Sequence, residues 1–292
     1  MIRMNSTKSK IKDIYPLTPM QQGMYFHSLK DKDSGTYFDQ VCFDIEGNLD
    51  TALLEQSINK LIERHDILRT IFSNKSKQVL QIVWKERPLK VFFENLNGLG
   101  IDQQNTIIIN YKQKSKVQGF DLGKDQLMRF ALFQREKEKY TMVWCFHHIL
   151  MDGWSRPIVT EELFAIYRSL SQQESLSMLP TIPYSRYIQW LESRDQQRAL
   201  QYWKDYMQGY ENVVSVPMKE NKANCPFLLE ETELVLNTEW TGIVTELTKQ
   251  LQVTVNTWLQ TIWGVLLQKY NGVDDAVFGS VVSGPSFRDC GH

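Results

Sequence analysis

The run HHILMDGWS sets two adjacent histidines, His147 and His148, ahead of Asp152 and Gly153. Histidine is the one side chain whose unperturbed pKa lies close to working pH, so either ring could exchange a proton during a reaction. An adjacent pair cannot put both rings on one helix face as the H-E-x-x-H metal motif does. Spacing alone leaves two readings open: a catalytic imidazole, or one packed histidine beside an exposed one. Cys42, Cys145, Cys225 and Cys290 are scattered without a C-x-x-C pair, which signals neither a zinc site nor a disulfide framework.

The elements around this run would present it rigidly. LMRFALFQ and KYTMVWCF, separated by the charged turn REKE, read as a hairpin whose second strand is almost continuously apolar and therefore central. That strand delivers the chain directly into His147, and a strand end feeding a loop is a firm mount for a side chain. Beyond the loop, Ser155 can cap a helix with Pro157 near its start, Glu161 and Glu162 in its first turns, and Ile158, Leu163, Ile166 and Tyr167 on its apolar face.

Upstream, Thr18, Pro19 and Gln21 form a capping box for a helix through Met24 and Leu29. A strand follows over Phe38–Ile45, closed by Gly47. Asp50 can then cap a helix carrying Leu53, Leu54, Ser57, Ile58, Leu61 and Ile62 on one face and ending near His65. Short strands are expected at Leu68–Phe72, Val79–Val83 and Leu89–Phe93, and a helix over IDQQNTIIINYKQKSK. From Ser171 to Pro183 the composition turns to Ser, Gln and Pro, which marks a linker with a lobe boundary at 175/176. After it come helices at Tyr184–Leu191, Gln196–Met207, Glu239–Leu251 and Val255–Tyr270, with strands at Leu228–Leu236 and Ala276–Val282. The expected class is α/β, layered as α+β, in two lobes without regular βαβ alternation.

Composition narrows the function. The chain has 292 residues, 33 Lys+Arg against 34 Asp+Glu, and 42% hydrophobic residues of which many are aromatic, which excludes intrinsic disorder. A formal net charge of −1 offers no basic field for nucleic acid. No signal peptide and no run of about 18 apolar residues is present, so a cytoplasmic location without membrane contact is expected. The first twelve residues hold Arg3, Lys8, Lys10 and Lys12 and no acid, which reads either as a solvated terminus or as a docking segment.

HHILMDGWS resembles the HHxxxDG motif of the condensation domains of nonribosomal peptide synthetases, relatives of chloramphenicol acetyltransferase. Four companions stand in the family's order: IYPLTPMQQGMYFHSL, RHDILRTIF, YSRYIQWL and FGSVVSG. The resemblance implies a chloramphenicol acetyltransferase-like two-lobed fold. The implied activity is peptide-bond formation between a donor peptidyl or aminoacyl thioester and an acceptor aminoacyl thioester. Both substrates would ride on the 4'-phosphopantetheine of upstream and downstream carrier proteins, with no cofactor bound directly. His148 would position, and in one reading deprotonate, the attacking α-amine. Gly153 would leave room for substrate and offer its backbone N–H to the developing oxyanion. Asp152 would pair with an arginine, Arg64 in preference to Arg69, and hold the loop. His147 would pack and hydrogen-bond rather than act as base.

TPMQQGM together with HHILMDGWS resembles the subgroup that accepts a D-configured donor, which implies an upstream synthetase ending in an epimerisation domain. Residues 1–13 would then be a communication segment for that synthetase. The first lobe is expected over 14–175 and a partial second lobe over 176–284. SGPSFRDCGH departs from the family's SGRPSEIAGI-like text in a way that a one-nucleotide frameshift produces, so residues 285–292 read as out of frame and the second lobe as incomplete. Two alternatives accompany this reading: a standalone HHxxxD acyltransferase using a soluble thioester, and a catalytically silent docking module.

Overall fold

The computed structural model describes residues 10–30, 35–216 and 233–282. They divide into two compact units, Met1–Arg194 and Asp195–His292. The first holds β1 (Ile11–Pro16), α1 (Pro19–Lys30), β2 (Phe38–Glu46), α2 (Thr51–Arg64), β3 (Thr70–Ser73), β4 (Leu80–Trp84), β5 (Phe92–Asn95), α3 (Ile101–Gln118), β6 (Met128–Glu136), β7 (Lys139–His147), α4 (Ser155–Gln172) and α5 (Tyr184–Glu192), with a short 3-10 turn at Asp66–Arg69.

Two sheets organise this unit. One runs β2-β7-β6-β5, with β5 parallel to β6 and the other pairs antiparallel; the second is β1-β4-β3. The β6–β7 hairpin forms as the sequence expects, with Met128 opposite Phe146 and Glu136 opposite Lys139. Strand β7 is buried from Tyr140 to His147 because both faces of its sheet are covered. Phe130, Leu132, Met142, Trp144 and Phe146 face a core shared with Leu54, Ile58, Leu61 and Ile62 of α2 and Val159, Leu163 and Ile166 of α4. The alternate residues Ala131, Phe133, Val143 and Cys145 pack with Ile108 of α3. This two-sided burial gives β7 its unbroken apolar run and fixes the strand end that carries the histidines.

Local capping follows the expectations. Gln21 N donates to Thr18 Oγ1 and Thr18 N donates to Gln21 Oε1, each at 3.1 Å, so the two residues satisfy each other's amides. Asp50 Oδ1 accepts from Ala52 N at 2.8 Å and Leu53 N at 3.0 Å. At α4 the expectation needs correction. Ser155 is the first helical residue, and Asp152 Oδ1 accepts its amide at 2.8 Å and its hydroxyl at 2.6 Å. The carboxylate three residues upstream reaches the orphan donors of the first turn better than the hydroxyl of a residue already inside the helix.

The boundary also moves. The units separate at 194/195 rather than 175/176, because α5 buries Ile188 against Tyr15 of β1 and Val83 of β4. At the other end, β1 pairs antiparallel with β4 from Ile11 onward, so residues 11–13 belong to the sheet rather than to a separate segment. Residues 1–9 lie outside the described residues.

The second unit contains α6 (Gln196–Tyr206), α7 (Thr238–Gln250) and α8 (Val255–Asn271). Asp195, Asn237 and Thr254 cap their N-termini through side-chain oxygens. The strand expected at Ala276–Val282 is absent: the backbone there has no ladder partner among the described residues. Of the strand expected at Leu228–Leu236, residues 233–236 are not paired and 228–232 lie outside the described residues, as do residues 285–292.

Candidate active site

His147 and His148 part at the end of β7. His147 is 4% exposed. Its Nδ1 accepts from Ile149 N at 3.1 Å, so this nitrogen carries no proton, and Nε2–H is left to donate to Ser28 Oγ at 3.1 Å. Ser28 Oγ–H in turn donates a hydrogen bond to Met24 O of α1 at 2.8 Å. Burial pushes the His147 pKa down to about 4, overcoming the opposing attraction of Asp39. Burial and these two bonds favour the neutral ring for His147.

His148 sits in a different environment. Its side chain is 34% exposed, and Nδ1 lies 2.5 Å from Asp39 Oδ2. The register brings Asp39 there: it stands opposite Phe146 in the β2–β7 ladder, and His148 follows Phe146 by two residues, which returns a side chain to the same face. His148 N donates to Tyr37 O at 2.8 Å, prolonging the ladder past its last pair. Tyr37 takes φ 65°, a left-handed conformation rare for a non-glycine residue, at the turn into β2. The hydrogen bond to Asp39 raises the His148 pKa above its ordinary value, against the effect of burial, with further help from Asp39 and Asp152 charge. The Nδ1 side of the ring is thereby occupied, and Nε2 is the nitrogen turned away from Asp39.

Asp152, Gly153 and Trp154 form an exposed loop between His148 and α4. Burial opposes ionisation of Asp152, but its bonds from Ser155 outweigh it and hold the carboxyl below its usual range. A Cβ placed on Gly153 meets no atom within 4 Å, so open space adjoins that backbone.

The expected Asp152–Arg64 pair does not form. Arg64 grips Glu162 of α4 with two bonds, Nε to Oε2 at 3.1 Å and Nη2 to Oε1 at 3.2 Å, and also donates to Leu179 O at 2.6 Å. His65 Nε2 meets the same carboxylate. Glu162 stands inside α4, the helix whose apolar face shares a core with α2, and its planar carboxylate fits the guanidinium fork. Arg69 is not the partner either: it is 4% exposed and bonds Ile62 O, Glu63 O, Trp84 O and Asp66. Both arginines of RHDILRT therefore hold the framework, and Asp152 holds its loop through Ser155.

Asp39, which contacts His148, is a residue that the sequence does not single out. Its position two residues after Tyr37 in YFDQ looks like any polar residue on an alternating strand. Only the pairing of β2 with β7 sets it beside His148.

Comparisons with known proteins agree with the motifs. The condensation domain family profile matches residues 11–286. Tyrocidine synthase 2 of Brevibacillus parabrevis is 43% identical over 279 residues, covering 95% of this chain and 8% of that protein. Gramicidin S synthase 2 of Brevibacillus brevis is 43% identical over 279 residues, covering 95% and 6%. The chain thus spans less than a tenth of the length of these relatives. Among solved structures, the complex of the X-domain and OxyB from teicoplanin biosynthesis aligns with TM-score 0.73 at 19% identity, covering 89% of this chain and 57% of that one. The starter condensation domain of the rhizomide synthetase RzmA aligns with TM-score 0.61 at 18% identity, covering 68% and 49%. These likenesses show the chloramphenicol acetyltransferase-like fold expected from the motifs. With the five motifs in order, the profile spanning nearly the whole chain and the buried-strand mount of the histidines, this chain belongs to the condensation domain family.

Proposed function

We propose that the chain forms a peptide bond between two carrier-bound thioesters in nonribosomal peptide synthesis. The observation that carries this reading is His148: a one-third exposed imidazole on a rigid strand end, with Nδ1 occupied and Nε2 turned away from Asp39. In the proposed reaction the acceptor's α-amine nitrogen attacks the donor thioester carbonyl carbon. The C–N bond forms as the carbonyl oxygen gains negative charge, which the Gly153 amide N–H would meet from its open side. His148 Nε2 accepts a hydrogen bond from the amine and takes its proton as the C–S bond breaks; the leaving thiolate then receives that proton. A free α-amine has a pKa of about 7.7–8.0, so orienting its lone pair is as valuable as removing its proton.

The substrates would arrive on the 4'-phosphopantetheine arms of upstream and downstream carrier proteins. The TPMQQGM variant supports a D-configured donor and hence an upstream epimerisation domain. Arg3 and Lys8 of the first nine residues would meet an acidic tail of that synthetase, whereas Lys12 is engaged with Asp66 at 2.7 Å. No helix among the described residues is long and apolar enough to cross a membrane.

The test is product formation from two loaded carrier proteins, comparing the protein with His148→Ala and Gly153→Ala. We expect His148→Ala to lose product while still binding carriers, and Gly153→Ala to fold normally, since its Cβ meets nothing, yet to slow condensation. Transfer from a soluble thioester without carriers would favour a standalone acyltransferase. Carrier binding without product in the unaltered protein would favour the silent docking module, a reading to which the exposed Trp240, Ile243, Leu259, Ile262 and Trp263 of the second unit lend weight.

A further inference from the structure

We propose that Asp39 is a positioning residue for the reaction: it holds the Nδ1–H tautomer of His148 and so keeps the Nε2 lone pair aimed at the acceptor amine. This rests on the role proposed above for His148. Three observations carry it. First, Asp39 Oδ2 and His148 Nδ1 stand 2.5 Å apart, within direct hydrogen-bond contact of a carboxylate with an imidazole nitrogen. Second, the placement is dictated by the sheet: the β2–β7 ladder runs without a register shift from Glu46 opposite Lys139 to Phe38 opposite His147, and the His148 N–H bond to Tyr37 O locks one residue more. Third, Tyr37 accepts a left-handed backbone at that point, a strained conformation that persists only where the surrounding structure imposes it.

The neighbouring histidine makes the need concrete. An imidazole that accepts at Nε2 must carry its neutral-form proton on Nδ1. His147, one residue earlier, has the opposite tautomer because Ile149 N donates to its Nδ1. Without an acceptor at its own Nδ1, His148 would be free to take that tautomer as well, with Nε2–H facing the amine. Asp39 forbids it: a carboxylate accepts from Nδ1–H and repels a lone pair there. It also stabilises the imidazolium that forms when Nε2 takes a proton.

The charges that bear on His148 are Asp39 on β2 and Asp152 in the following loop, with His147 behind it neutral and buried. Both acids favour the protonated ring. An imidazolium cannot accept at Nε2, so the rate rises as the ring loses its proton. Removing Asp39 takes away the largest raising influence, and the acid limb of the pH–rate profile must move to lower pH.

The experiment compares the full chain with Asp39→Asn and Asp39→Glu by ¹⁵N NMR of the histidine rings and by condensation between loaded carriers across pH. In the unaltered protein we expect neutral His148 to show a protonated Nδ1 and an unprotonated Nε2. In Asp39→Asn we expect a mixed tautomer, a lower His148 pKa, an acid limb shifted down, and a maximal rate reduced by about tenfold or more. Asp39→Glu should restore the tautomer and part of the rate. The Nε2–H tautomer in the unaltered protein overturns the inference without any variant having to fold. So does an Asp39→Asn protein whose rate falls with tautomer and acid limb unchanged. If His148→Ala retains full activity, the proposed function of His148 fails instead, and the ring spectra tell the two failures apart.

Discussion

At His147 and His148 the same residue type acquires opposite acid–base behaviour over one peptide bond. His147 is buried and pushed down to about 4, whereas His148 gains Asp39 and is raised. A histidine whose folded pKa lies below its unfolded value adds stability above that value and loses it as the pH falls. For His147 the loss runs from about pH 6.5 to 4 and amounts to about 3 kcal/mol across that window. We expect urea midpoints, measured at steps of pH through the window, to fall in the unaltered protein. In His147→Gln the fall should be shallower by close to one proton. An unchanged slope would mean that His147 stays protonated in the fold. His148 works in the other direction: its contribution is present below pH 6.5 and is lost as the pH rises through its raised value. Its exposure keeps that contribution small and sensitive to salt.

Among the elements, the loop between β7 and α4 is held from two sides by separate acids. Asp152 secures the start of α4 through Ser155, and Glu162, further along the same helix, ties α4 to Arg64 and His65 at the end of α2. The first is an exposed cap and the second a largely buried, bidentate ion pair with side chains 20% and 16% exposed. Burial alone would raise the Glu162 pKa, but the bonds from Arg64 and His65 lower it. We therefore expect Asp152→Ala to cost about 1 kcal/mol, the usual value of a lost N-cap. Glu162→Gln should cost more, about 2–3 kcal/mol, because it leaves the Arg64 charge partly buried without its partner. Chemical denaturation of the two variants checks the order. The reverse order would restore Asp152 as the chief tether of the loop.

For the whole molecule, the relevant division is the one at 194/195. Helix α5 belongs with the first unit because Ile188, 3% exposed, completes a small core with Tyr15 and Val83 over the β1-β4-β3 sheet. A fragment of residues 1–194 should fold cooperatively. One of residues 1–175 should be less stable by about 2–3 kcal/mol, from the apolar surface of Ile188 and Tyr184 left without a partner. Thermal or urea unfolding of the two fragments decides it, and equal stability would return the boundary to the Ser- and Pro-containing stretch. That stretch misled for a physical reason: its composition marks a surface connection, but whether the next helix docks back depends on what it meets across space.

Much of the frame was legible in the chain because its causes are local or periodic. Thr18 and Gln21, Asp50, the apolar stripe of α2 and the β6–β7 hairpin each follow from spacing within a few residues. The HHILMDGWS motif likewise announced its family. The partners of charged and polar groups were not legible. Arg64 chose Glu162, 98 residues away, over the nearer Asp152, and Asp39 reached His148 across 109 residues. Strand β1 escaped notice because six residues ending in proline pair only once β4 is beside them. The expected strand at Ala276–Val282 found no neighbour among the described residues. Sequence determined most of the segments that form elements and the motif that carries the paired histidines; tertiary structure decided who pairs with whom. Propensity and capping act within a turn, whereas ladder register and ion pairing are settled by which distant backbones the hydrophobic core has already brought together.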